Sequence, residues 1–303
     1  MRILLLGKNG QVGWELQRSL APLGEVVALA TNSPEHCADL TNLAGLKQTI
    51  RDVAPDIIVN AAAYTAVDKA ESEPGLAHAI NALAPELLAQ EAKRSGAWLV
   101  HYSTDYVFEG SGDQARLEAD TTGPLNVYGQ SKLAGEAAII ASACQYLIFR
   151  TSWVYAARGN NFAKTMLKLA QARDSLSVIN DQIGAPTGAD FLADVTSHAI
   201  RSALPRPELA GLYHLVASGQ TSWHGYASLV IDYARQLGVD VKVAPEAIQT
   251  VASSAFVTAA QRPLNSRLDT HKLQNAFDLH LPHWQTGVIR LLDEILEKNH
   301  DPT

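Results

Sequence analysis

Nothing in this chain reads as a covalent staple, a membrane anchor or a grip for polyanions. Cysteine is limited to two residues in 303, Cys37 and Cys144, far apart and without the spacing of a metal or redox pair. That excludes a disulfide framework and leaves two reduced thiols. No apolar run approaches the roughly 20 residues that a membrane-spanning helix needs. The opening MRILLLG has only four apolar residues in a row before its glycine, too short a run for an export signal, so the expectation is a cytoplasmic chain without a membrane partner. Basic runs are missing as well: 24 Lys and Arg stand against 31 Asp and Glu, scattered, for a net charge of -7. A nucleic-acid footprint is therefore absent. Ten histidines show no HExxH or paired-cysteine pattern, which argues against structural zinc. Repeats and low-complexity segments are absent too.

What is present is an ordinary globular composition, 47 % hydrophobic and 18 % charged, in a chain long enough to bury a large core. Up to about residue 180, short β-rich runs alternate with helical patterns. RILLLG (2–7), EVVALA (25–30), DIIVNAAA (56–63), AWLVHYSTD (97–105) and YLIFRTSW (146–153) read as buried strands. Helical spacing fills 11–20, 43–53, 74–95 and a segment from about 129. Continuous apolar strands between helices predict an α/β fold, a doubly wound parallel sheet with helices on both faces. After INDQIGAPTG (179–188) the rhythm changes. Helical patterns at about 189–204 and 222–237 flank a short strand, GLYHLV (211–216), and an amphipathic helix over 281–299 closes the chain. The expected division is a nucleotide-binding domain over 1–180 and a smaller, mixed α/β substrate lobe over 181–303, with a soft boundary across which segments interleave.

Candidate chemistry sits at the carboxyl ends of these strands. GKNGQVG places Gly7, Gly10 and Gly13 after the first strand and at the start of a helix, where backbone amides can approach a pyrophosphate. The spacing is GxxGxxG, and a merely tight turn is the plainer alternative. The second strand ends Ala30, Thr31, Asn32, Ser33. The acid that would bind a ribose 2′-hydroxyl is missing there, and so is any Arg or Lys, so NADPH is favoured only weakly over NADH. Downstream, Asp39 and Leu40 are candidates for an adenine edge, Asp39 being equally suited to a helix cap. NAAAYT (60–65) offers small residues that admit a flat cofactor or pack a helix against the sheet. Ser103 and Thr104 bring hydroxyls to the fourth strand's end. Tyr128 and Lys132, one helical turn apart, can pair a proton donor with a cation that lowers its pKa, unless they are an ordinary surface tyrosine and a solvated lysine.

In combination, the glycine loop, NAAA, STD and YxxxK resemble the extended short-chain dehydrogenase/reductase superfamily. With GKNGQVGWEL, NAAAYTAVDKAESEP, HYSTDYVFEG, LNVYGQSKLAGE, RTSWVYA, GNNFAKTML, DQIGAPTG, GLYHL and RPLNSRL added, the chain resembles the dTDP-4-dehydrorhamnose reductase family along essentially its whole length. The resemblance implies NAD(P)H-dependent reduction of the C4 ketone of a dTDP-linked 4-keto sugar, the last step of dTDP-rhamnose synthesis for cell-surface polysaccharide. It implies catalytic Thr104, Tyr128 and Lys132, with Lys132 lowering the phenol's pKa. Cofactor contacts are implied at Gly7, Gly10, Gln11, Val12, Gly13, Ala30, Asp39, Leu40, Ala62, Ala63, Tyr64, Thr65, Tyr102, Tyr128 and Lys132. Thr104, Asp105, Trp153, Arg262 and Asn265 are implied on the substrate side. A homodimer and a bridging Mg²⁺ at Asp190 and Glu294 also follow from the resemblance. Thr104 is followed by Asp105 and Tyr106 rather than the Asp–Glu pair of nucleotide-sugar dehydratases, which disfavours elimination chemistry. An epimerase that retains NAD, and a non-catalytic regulatory subunit, are the competing expectations.

Overall fold

The computed structural model of the chain describes residues 1–297. Counting in chain order the strands of the main sheet and the longer helices, the elements are β1 (Arg2–Leu6), α1 (Gln11–Leu20), β2 (Glu25–Leu29), α2 (Leu43–Val53), β3 (Ile57–Asn60), α3 (Ala84–Ser95), β4 (Trp98–Thr104), α4 (Val127–Ser142), β5 (Gln145–Thr151), α5 (Phe162–Ala172), α6 (Ala189–Ala203), β6 (Gly211–His214), α7 (Trp223–Gln236), α8 (His271–Phe277) and α9 (Trp284–Glu297). The six strands pair parallel in the order β6-β5-β4-β3-β1-β2. The direction of winding reverses between β1 and β3, which opens a crevice at their carboxyl ends.

The strands read as unbroken apolar runs because both faces are covered. Along β1, Ile3 and Leu5 point to one face and pack with Leu16 and Leu20 of α1 and Leu192 and Ala199 of α6. Leu4 and Leu6 point to the other, against Leu46 and Ile50 of α2 and Leu88 of α3. All four β1 leucine and isoleucine side chains are fully buried. That alternation within an all-apolar strand is the period-2 geometry of a strand buried on both sides.

A second core lies beside the sheet. It joins α5, α7 and α9 through Leu167, Ala170, Tyr226, Val230, Val288 and Leu292, with the parallel pair Leu176–Ile179 and Ile248–Val251 at its edge. A cut at residue 180 does not separate the two cores. Helix α6 packs on α1, β6 extends the main sheet beside β5, and Leu273 and Phe277 of α8 belong to the sheet's core. The lobe in turn takes α5 from before the cut. GLYHLV, expected within the lobe, is the sixth strand of the main sheet, because periodicity reports burial but not which sheet a strand joins. The helical pattern over 74–95 is interrupted by a π turn at Ala79–Leu83, whose buried Asn81 accepts from the Tyr64 amide and donates to the Tyr64 carbonyl. The last helix, expected over 281–299, runs over Trp284–Glu297; positions 298 and 299 lie outside the described residues. Among the described residues no helix is long and apolar enough to cross a membrane.

Helix α4 begins at Val127 rather than near 129, because Asn126 caps it: its Oδ1 accepts from the Gly129 amide at 2.8 Å and its Nδ2 donates to the Gln261 carbonyl at 2.7 Å. Farther along, Arg150 of β5 donates to Glu136 through Nε at 2.9 Å and Nη2 at 2.6 Å, with both side chains buried. Removing one partner leaves the other charge buried and unmatched. Glu136→Ala is therefore expected to destabilise the fold by about 3–5 kcal/mol, read from the urea midpoint at constant slope. A loss below about 1 kcal/mol, the range of an exposed pair, would refute the assignment of this pair as the tie between α4 and β5.

Candidate active site

The chain crosses from β1 into α1 through a turn that only glycine fits. Gly7 has φ +89°, and the Gly10 amide closes the turn onto the Gly7 carbonyl at 3.0 Å. A Cβ on Gly13 would stand 2.0 Å from that same carbonyl oxygen, so the helix can start against the loop only without a side chain there. No side chain caps α1, and Gly10, Gln11 and Val12 line a cavity of about 790 Å³ at the carboxyl edge of the sheet.

The same cavity is lined by Ala30, Thr31 and Asn32 after β2, by Ala62, Ala63 and Thr65 after β3, and by Tyr102, Thr104 and Asp105 at the end of β4. Tyr128 and Lys132 enter from α4, and Trp153 follows β5. Of the expected cofactor residues, Gly13 packs beneath the loop. Asp39 accepts from the Thr41 amide and hydroxyl at 2.9 and 2.7 Å within the loop, and the helix cap falls to Asn42, whose side chain accepts from the Gly45 amide. Leu40 is in the hydrophobic core, and Tyr64 donates its hydroxyl to Glu73 at 2.7 Å, away from the cavity. None of these three lines the cavity. Three buried polar atoms along the wall, Ser103 Oγ, Asp105 Oδ2 and Thr151 Oγ1, find no protein partner. Unmatched buried groups of this kind suit a polar ligand. The glycine loop, the uncapped helix start and these atoms together fit a dinucleotide.

Tyr128 and Lys132 do share one face of α4, but not the electrostatics expected of them. Burial pushes the Tyr128 phenol up to about 12; a hydrogen bond with Thr104 pulls it down, and the Asp105 charge raises it further. Lys132 contributes no resolved lowering. Its Nζ instead donates to the Tyr102 carbonyl at 2.6 Å and lies 3.1 Å from His101 Nε2. Desolvation dominates both groups, bringing the Lys132 ammonium down to about 8 against the attraction of Glu136. No shift of the Tyr128 phenol is traced to Lys132, whose nearest partners are the Tyr102 carbonyl and His101.

A second cavity of about 850 Å³ lies toward the lobe, between α5, the strand Leu176–Ile179 and the segment 253–264. Trp223 lines both cavities and stacks on Trp153 with ring centroids 3.7 Å apart and planes 14° off parallel. Trp153 holds φ +50°, a left-handed conformation unusual for a bulky residue. Sequence reading missed Trp223, which no local motif singles out. Arg262 lines the second cavity and pairs with Asp68 at 2.6 Å. Asn265, expected beside it, lines neither cavity; its amide donates to the Ser111 and Gln114 carbonyls, bracing the loop.

Asp190 lies 4.0 Å from Arg290 Nε. Glu15, which the sequence did not single out, has its carboxyl raised by burial and by Asp190, opposed by Arg18, with Glu294 raising it again. Those acids share a neighbourhood, yet among the described residues no three His, Cys, Asp or Glu side chains gather closely enough to hold a cation. No chemical step is assigned to a metal.

Burial pushes the Asp105 carboxyl up to about 7, with the hydroxyls of Ser266 and Thr104 pulling it back. The folded protein then holds a proton that the unfolded chain releases between about pH 4 and pH 7, so this residue lowers stability as pH rises through that window. Asp105→Asn should flatten that fall and raise the urea midpoint above pH 7, whereas an unchanged pH dependence would refute the assignment.

Comparison with known proteins extends along nearly the whole chain. A family model described as RmlD substrate binding domain matches residues 1–297. A curated dTDP-4-dehydrorhamnose reductase of Salmonella typhimurium is 60 % identical over 295 residues, covering 97 % of this chain and 98 % of that protein. Its counterpart in Escherichia coli is 59 % identical with the same coverage. The crystal structure of dTDP-4-dehydrorhamnose reductase from Bacillus anthracis in complex with NADP superposes with a TM-score of 0.87 at 35 % identity, covering 97 % of this chain and 99 % of that one.

Proposed function

The chain belongs to the family described by the RmlD substrate binding domain model, and from that premise we propose that it reduces the C4 ketone of dTDP-4-dehydro-L-rhamnose with NAD(P)H to give dTDP-L-rhamnose. The observation that carries the reading is the meeting of Thr104 and Tyr128 in one cavity with the glycine loop. Gly10, Gln11 and Val12 would hold the pyrophosphate, because uncapped helix amides and the helix dipole favour negative charge there. Lys132, on the same cavity wall, would hold the nicotinamide ribose. No carboxylate stands among Ala30, Thr31 and Asn32 to repel a 2′-phosphate, which leaves NADPH acceptable there.

Reduced nicotinamide, when bound, supplies the hydride to C4. The chain's own residues handle the oxygen. Thr104 Oγ hydrogen-bonds it and aligns the carbonyl, and Tyr128 gives it a proton as charge develops. A phenol raised to about 12 is fully protonated across the neutral range, so the acid is always loaded. A sugar alkoxide is a stronger base than phenolate, so transfer still runs downhill. Asp105 and Trp153 meet the sugar, and the stacked Trp153–Trp223 pair divides the nicotinamide side from the second cavity. That cavity, with Arg262 on its wall, receives the nucleotide diphosphate end of the substrate. A cytoplasmic homodimer completes the reading, on family likeness and the free thiols of Cys37 and Cys144.

Purified protein given dTDP-4-dehydro-L-rhamnose should consume the ultraviolet absorbance of NADPH, and NADH run alongside reports the cofactor preference. Absence of turnover with both would defeat the proposal; tightly retained NAD without net oxidation would point to an epimerase. Tyr128→Phe should lower kcat by about 10²–10⁴-fold while leaving the Kd for NADPH within a few-fold. Trp223→Ala should act mainly on KM for the nucleotide sugar, and an effect confined to nicotinamide affinity would place the indole elsewhere.

A further inference from the structure

We propose that Asn60 and His101 hold the Lys132 side chain as a neutral amine, which makes His101 a positioning residue for it. Asn60, at the end of β3 and 1 % exposed, accepts from the Ala62 amide through Oδ1 at 3.2 Å. That bond turns its NH₂ toward His101 Nδ1, 3.2 Å away. Flipping the amide would set two donors against each other at Ala62. His101 Nδ1 is therefore an acceptor, and the neutral ring carries its proton on Nε2. A doubly protonated ring is excluded, because burial, the larger cause, keeps this imidazole well below its ordinary range.

The Nε2–H is aimed at Lys132 Nζ at 3.1 Å. An ammonium has three donors and no lone pair, so it would meet that N–H head-on. A neutral amine accepts it with its lone pair and still donates to the Tyr102 carbonyl at 2.6 Å. Burial, partly offset by Glu136, brings Lys132 down to about 8; a partner that must donate carries it lower. The charged and titratable groups of the packed elements leave this balance in place. On α4, Tyr128 is a protonated phenol, and Glu136, which favours the ammonium, is held by Arg150 of β5 in a two-pronged pair. From β4 comes His101 itself, with Asp105 just beyond its end; β3 presents only the uncharged Asn60.

Lys132 then gains its proton, from solvent, only when Nζ turns from the imidazole toward the ribose hydroxyls. This last step rests on the ribose role given above; the amine state does not. The test is a ¹⁵N titration of the lysine side chains in full-length protein prepared without nucleotide, with Lys132→Met to assign the resonance. Lys132 is expected to remain an amine down to about pH 7 or below, while solvated lysines titrate near 10.4. In His101→Leu and in His101→Gln its midpoint should rise by about one pH unit or more, a tenfold easier protonation. An ammonium at neutral pH in the unmodified protein, or a midpoint unmoved in the variants, would overturn the proposal. If neither variant folds, the titration of the unmodified protein decides alone. Loss of NADPH turnover with this titration intact would instead count against the reductase reading.

Discussion

Helix α4 turns three polar side chains, one per turn, toward the parallel sheet: half-buried Tyr128, and Lys132 and Glu136, both buried. Each must find a partner there, since an unmatched charge or hydroxyl in a low-dielectric core carries a heavy penalty. Glu136 is matched by Arg150, Lys132 by the Tyr102 carbonyl and His101, and Tyr128 by Thr104. The gradient along the helix runs from a structural ion pair at one end to a reactive phenol at the other. Asn126 fixes the start of the helix and so the register of all three, and Gly129 lets the first turn approach the Tyr106 carbonyl, where a Cβ would stand 2.3 Å away.

Burial, rather than charge pairing, is the dominant influence on this site. It raises Tyr128 and Asp105 and lowers Lys132 and His101, so four ionisable groups are all driven toward their neutral forms. A neutral, water-poor wall suits chemistry in which charge appears only transiently on a substrate oxygen. Fixed hydrogen-bond donors act on such a charge without having to reorganise. The tryptophan pair at the mouth extends that wall toward the lobe.

The doubly winding sheet was legible because β1, β3 and β4 are continuous apolar runs ending in small or hydroxyl residues, and helix 43–53 was legible from its periodicity. The glycine loop, Thr104, Tyr128 and Lys132 were findable because each follows a strand end or a cap at a fixed spacing, and these residues do converge on one cavity. Their protonation was not findable. The phenol's environment depends on how deeply α4 sinks, and Lys132's partner, His101, lies on another strand whose sequence gives no sign of the pairing. Trp223, Glu15 and the sheet membership of Gly211–His214 escaped for the same reason: each is a long-range contact without a local pattern. Asn265 and Tyr64, whose residue types suited a ligand, line neither cavity and bond to backbone and carboxylate neighbours instead.

The repeated crossing of the chain between its two cores bears on how the molecule is made. The edge strand of the main sheet arrives only at Gly211–His214, and one face of that sheet is not finished until Leu273 and Phe277 are in place. During synthesis the nucleotide-binding half therefore cannot close as an independent unit at the amino end, although domains commonly fold in that order as the ribosome releases them. Strand edge and apolar helix surface stay uncovered until nearly the whole polypeptide has emerged, so late-stage truncations fall on the dinucleotide half as heavily as on the lobe they appear to shorten.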